Sequence, residues 1–121
     1  MGLEELSRRT VSDRLAQFRS RVAALGLDAY WIVKQANVRY LSGFTGDEST
    51  LLFSADRSVL ITDSRFEEQA AAEAQVDEVV SRSKPMAKTV GMLVRRMGFG
   101  TVGFTASGVT YADGHALASE A

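Results

Sequence analysis

The sequence contains no cysteine, and among its 121 residues there are one proline, one histidine and one tryptophan. Without cysteine it has no disulfide, no thiolate metal site and no thiol nucleophile, a composition that suits a cytoplasmic protein. The lone histidine, His115, cannot form a catalytic triad or an imidazole-rich metal site from this chain alone. No apolar run approaches the roughly 20 residues that a membrane span needs. Residues 1–10 are polar and charged, unlike a signal peptide. Charge of one sign is also missing: 14 Lys+Arg stand against 15 Asp+Glu, a formal net charge of -1. Such a chain has no field that would favour DNA, RNA or anionic lipid. The arginines at 8, 9, 14, 19 and 21 cluster, but no aromatics interleave with them, and they read as the solvated face of one helix.

What is present is a globular balance, 45% hydrophobic and 24% charged, in a length that buries a single core. Thr10 is placed as the N-cap of a first helix with Asp13 in its first turn. Val11, Leu15, Phe18, Val22 and Leu25 form the apolar stripe of that helix, which Gly26 ends. Residues 1–10 then read as an N-terminal extension and 11–121 as one domain. Asp28 to Val33 is a continuous aromatic and β-branched run, as in a strand covered on both faces, with Trp31 in the core. Asn37 is placed as the cap of a short turn, Val38 to Ser42, closed by Gly43. Ser49–Phe53 and Ser58–Thr62 read as a hairpin, and Asp63 or Ser64 as the cap of a helix from Arg65 to about Gln75. A short strand over Val76–Arg82 follows. Pro85 then starts a helix with Met86, Val90, Leu93, Val94 and Met97 inward and Gly98 at its end. Thr101–Phe104 is a last strand, and a helix opens at Thr110–Asp113. The alternation predicts an α/β fold: three α/β/α layers around a mixed, mostly parallel five-stranded sheet containing one antiparallel hairpin. The last helix has few apolar residues and no stop signal before Ala121, which reads as a chain cut between domains.

Three features could carry chemistry. Gly98-Phe99-Gly100-Thr101-Val102-Gly103 fits G-x-G-x-x-G. The dinucleotide fingerprint needs that pattern between a strand and a helix, whereas here it runs from a helix into a strand, so a helix cap and turn is the favoured reading. Asp47-Glu48 are two adjacent acids without further oxygen ligands, better read as a solvated loop tip than a cation site. Asp63-Ser64-Arg65 ends a strand and begins a helix, a corner that in α/β sheets borders binding crevices. Two readings of it stand: a capping Asp beside a surface Arg, or an arginine fork that holds a substrate carboxylate. Arg39 and Tyr40 face the same choice, with half-buried packing favoured for Tyr40. No assembled catalytic constellation emerges.

Asn37-Val38-Arg39-Tyr40-Leu41-Ser42-Gly43-Phe44-Thr45-Gly46, then Leu51-Leu52-Phe53, then Leu60-Ile61-Thr62-Asp63-Ser64-Arg65-Phe66, resembles the N-terminal domain of the creatinase/prolidase/aminopeptidase P family, the Xaa-Pro peptidases. The helix and strand over Arg19–Val33 and the Phe104-Thr105 strand end fit the same family. The resemblance implies a three-layer α/β domain that contributes to homodimerisation and caps the active-site cleft, together with its own C-terminal catalytic domain. It implies a parent enzyme that acts on proline-containing peptides with two divalent metal ions (manganese, cobalt or zinc) held outside this chain. By the same resemblance, Arg65 reaches toward substrate, with Phe44, Thr45 and Tyr40 near the cleft. No residue of this chain takes a catalytic or metal role. The other readings are a free-standing binding or oligomerisation module sharing only the fold and, resting on the misplaced glycines, a nucleotide-binding protein.

Overall fold

The computed structural model describes residues 3–104 and 117–118, with side chains from residue 8 onward. The expected helix at Thr110–Asp113, His115 and the chain end lie outside the described residues. Ten elements follow in order: α1 (Leu3–Ala24), β1 (Ala29–Ile32), α2 (Gln35–Ser42), β2 (Thr50–Ser54), β3 (Ser58–Thr62), a 3-10 turn (Ser64–Phe66), α3 (Glu67–Glu73), β4 (Glu78–Ser81), α4 (Met86–Met97) and β5 (Val102–Phe104).

The five strands form one sheet in the order β4-β3-β2-β1-β5. β2 pairs antiparallel with both β1 and β3, while β3–β4 and β1–β5 are parallel. The mixed sheet and the hairpin are as expected. Parallel pairings are half of the four and not the majority, because β1 lies beside the hairpin and runs opposite to β2. The strands alternate cleanly between two cores, as a pleated sheet requires. Ile32, Leu51, Phe53 and Leu60 face Leu15, Val22, Val38, Leu41 and Ala70 of α1, α2 and α3. Ala29, Trp31, Leu52, Val59 and Ile61 face Ala87, Val90, Leu93 and Val94 of α4. Phe18 joins β1 to β2 through edge-on contacts with Tyr30 and Phe53, at 5.4 and 4.9 Å between centroids.

α4 carries the chain from one edge strand, β4, to the other, β5. Its 12 residues give a length of about 18 Å. Four strand spacings come to about 19 Å. One helix of this length is therefore enough to bridge the two edges, and its buried stripe, joined by Leu117, covers the second face of the sheet.

Local starts and stops differ from the sequence expectation. The helix expected over Arg65 to about Gln75 is a 3-10 turn followed by α3, which ends at Glu73. The first helix begins at Leu3 and not at Thr10, since no glycine, proline or stronger breaker separates Leu3 from Val11 and the helix simply propagates. Leu25 falls after the helix end and is exposed, while Leu27 packs into the core in its place. α2 starts at Gln35, two residues before the expected cap, so Asn37 is an exposed residue within the helix. Gln35 fixes this start: its amide donates to the Ser49 carbonyl at 2.6 Å and accepts from the Ser49 hydroxyl at 3.0 Å.

Candidate functional site

The candidate site lies where β3 ends and α2 stops, on the side of the sheet that carries α1, α2 and α3. α2 ends at Gly43, whose φ of 80° favours glycine, with its N–H on the Arg39 carbonyl. The buried Ser42 hydroxyl donates to the Val38 carbonyl at 2.6 Å and accepts from the Phe44 N–H at 3.2 Å. The chain then turns so that Phe44 drops into the core, fully buried, with its ring edge-on to Phe66 at 6.5 Å. Gly46 lies directly against the Phe44 ring, and a Cβ there would collide with Phe44 Cζ.

Thr45 binds the loop to α3. Its N–H and its hydroxyl both donate to Glu73 Oε1, at 2.9 and 2.7 Å. Gln69 donates to the Thr45 hydroxyl at 3.2 Å and to Glu73 Oε2 at 3.1 Å. The Thr45 N–H, then the Thr45 hydroxyl, then Gln69 and the Arg39 charge lower the Glu73 carboxyl below its usual value, against a smaller opposing effect of burial. The exit of α3 is tied to the same point, through the Gln75 N–H on the Ser42 carbonyl at 2.8 Å.

The corner after β3 is built by Asp63. Its Oδ1 accepts from the Arg65 N–H and from Arg65 Nε, both at 3.0 Å, which starts the 3-10 turn. Its Oδ2 lies 3.7 Å from Arg82 at the end of the neighbouring parallel strand. The Arg65 N–H first, then its side chain, with smaller charge effects from Arg65 and Arg82, hold the Asp63 carboxyl below its usual value. The Arg65 side chain is 68% exposed, and its guanidinium carbon stands 5.5 Å from the centre of the Phe66 ring. Among the described residues its two terminal nitrogens make no hydrogen bond, so the outer fork remains available.

The structure treats the four sequence-selected residues differently. Arg65 and Thr45 are both exposed, each next in sequence to one ring of the Phe44–Phe66 pair. Tyr40 is 53% exposed, its ring covered by Arg14 at 4.1 Å and its carbonyl accepting from Arg14 at 3.3 Å. Phe44 corrects the expectation: a ring with no exposed surface cannot meet a substrate, and its part is to anchor the loop. Glu73, Gln69 and Arg14 were not singled out from sequence. Glu73 and Gln69 sit four residues apart on one helix face, but nothing in the sequence says that Thr45 is their partner.

The glycine pattern has a structural explanation. Gly98 caps α4 with φ of 75°. The Gly100 and Thr101 N–H groups donate to Asp28 Oδ2 at 2.7 and 3.1 Å. A side-chain carboxylate thus occupies the donors that a phosphate would need. Asp47 and Glu48 are an exposed loop tip, Glu48 with φ of 54°. Among the described residues no three His, Asp or Glu side chains converge on one point, so none is assigned to the implied metal pair. No described helix is long and apolar enough to cross a membrane.

Comparison with known proteins matches this geometry. The sequence pattern of the Creatinase/Prolidase N-terminal domain family fits residues 14–121. A Bacillus subtilis chain described as an uncharacterized peptidase, YqhT, is 32% identical over 98 residues, covering 81% of this chain and 28% of that one. The N-terminal domain of cytoplasmic peptidase PepQ from Mycobacterium tuberculosis is 37% identical with a TM-score of 0.82, over 89% of this chain and 84% of that one. A Xaa-Pro dipeptidase from Bacillus anthracis is 27% identical with a TM-score of 0.83, over 91% of this chain and 31% of that one. The chain therefore spans less than a third of the length of two of these relatives. With the mixed sheet, the Gly43–Gly46 loop and the Asp63–Arg65 corner in place, the chain belongs to the Creatinase/Prolidase N-terminal domain family.

Proposed function

We propose that this chain is the N-terminal domain of a metal-dependent Xaa-Pro peptidase, of aminopeptidase P or prolidase type, in which it caps the cleft of a C-terminal catalytic domain and takes part in homodimerisation. The observation that carries the reading is family membership over residues 14–121, in a chain that spans only 28% and 31% of two relatives described as peptidases. The description of the M. tuberculosis relative as cytoplasmic supports a cytoplasmic setting.

Two divalent ions (manganese, cobalt or zinc) would supply the activated water for cleavage before proline. Among the described residues no ligand set for them is found; the part we assign to this chain is substrate binding and coverage of the cleft. Arg65 is suited to that task. Asp63 holds its Nε, the Phe66 ring lies beneath it, and the terminal nitrogens face outward without a partner among the described residues. A guanidinium already held in place loses less freedom when it captures a carboxylate. Thr45 and Tyr40, which line one surface depression beside Gly43, are assigned to the rim of the same cleft.

The test uses the complete peptidase. Metal-supplemented enzyme is expected to hydrolyse a Xaa-Pro peptide, and Arg65→Ala to raise KM or lower kcat/KM while the fold is retained. Absence of turnover in the complete enzyme overturns the peptidase reading. Unchanged kinetics in Arg65→Ala overturns the role of Arg65 and leaves it as part of the Asp63 cap.

A further inference from the structure

α4 buries Ala87, Val90, Leu93 and Val94 against the sheet and leaves Lys88, Met92, Arg95 and Arg96 exposed. Those four stand at i, i+4, i+7 and i+8, which is one stripe along the helix. An ordinary solvated face mixes charges of both signs. This one carries three cations and a methionine that is 44% exposed, with no acid.

A groove of about 370 Å3 runs beside the stripe, between α4 and the end of β4. Val80, Met92 and Leu93 give it an apolar lining, and Arg82, Lys84 and Arg96 give it a cationic one. The Lys84 ammonium lies 3.9 Å from the Met92 sulfur, which places a charge directly beside the apolar wall. Arg82 is paired with Asp63 at 3.7 Å and Arg96 with Glu78 at 3.6 Å. Lys84, Lys88 and Arg95 have no acidic partner among the described residues. Among the described residues β4 is an edge strand, paired only with β3.

We propose that this groove docks a polypeptide segment of a partner protein that carries several carboxylates around one apolar side chain. The groove is lined by Arg82, Lys84 and Arg96 and by no acid, with Lys88 and Arg95 on the adjoining helix stripe. Its charge therefore matches the carboxylates, and the space between Val80, Met92 and Leu93 accepts the apolar anchor. Nucleic acid fits less well. A phosphate backbone has no use for an apolar pocket, and the groove offers no aromatic ring for base stacking. The proposal is independent of the Arg65 reading, since the two surfaces share only the Arg82–Asp63 contact.

Titration of the isotopically labelled chain with a short synthetic peptide, glutamates around a central leucine, tests it. Amide shifts are expected at Lys84, Thr89, Met92 and Arg96. The double variant Lys84→Glu, Arg95→Glu should weaken binding at least about tenfold. Met92→Ser should weaken it roughly threefold or more, with melting temperature unchanged because Met92 is exposed. The proposal is overturned if shifts are absent or map elsewhere, or if either variant binds as the parent does. It is also overturned if an all-glutamate peptide without leucine, or a single-stranded DNA of equal charge, binds as tightly.

Discussion

Thr45 presents both its N–H and its hydroxyl to a single oxygen of Glu73, at 2.9 and 2.7 Å, across 28 residues of sequence. This one carboxylate holds the loop after α2 against the last turn of α3. The hairpin lies between them in sequence, yet in space the family-specific loop and the Arg65 corner share one wall.

Glu73→Gln should loosen that wall while leaving the sheet intact. Faster amide exchange at Phe44 and Thr45 is expected, with a stability loss of no more than about 1 kcal/mol because the carboxylate is solvent-accessible. The folded carboxyl lies below its ordinary value. Its contribution is therefore full above about pH 4.3 and is lost as pH falls through the lower folded value. Urea midpoints of the parent chain and Glu73→Gln should differ at neutral pH and converge in acid. Parallel curves at all pH values would refute the assignment.

Gly46→Ala should destabilise by about 1–3 kcal/mol, because the new methyl meets the Phe44 ring and that ring is already locked in the core. The combined variant Gly46→Ala, Phe44→Leu should lose less than the sum of the two single changes. Additivity, read from denaturant unfolding, would show that the two positions do not share space.

Asp28→Ala should free the Gly100 and Thr101 N–H groups and weaken the attachment of β5, at a cost of about 1 kcal/mol. Exchange protection should fall at Val102–Phe104 first. Calorimetry with a dinucleotide should show no binding to the parent chain; a saturable heat would restore the phosphate reading of the glycine pattern.

Much of the fold was legible because periodicity survives in short segments. The 3.6-residue stripe of α4, the hairpin with its polar turn and the dense apolar run of β1 each carried their own signal. Boundaries were less legible. Thr10 and Asn37 are good caps by residue type, but each stands inside a helix whose upstream residues also tolerate helical geometry, so the chain continued through them.

The sequence by itself determined the alternation of helices and strands, the two-faced sheet and, through its motif series, the family. Those properties depend on local composition and spacing. Only the tertiary structure decided what the motif residues do. Burial depends on which segments meet across the sheet, and that sent Phe44 into the core while leaving the Arg65 fork outside. Thr45 found Glu73, and Asp28 found the glycine turn, through contacts 28 and 72 residues apart. No periodicity encodes pairings of that range.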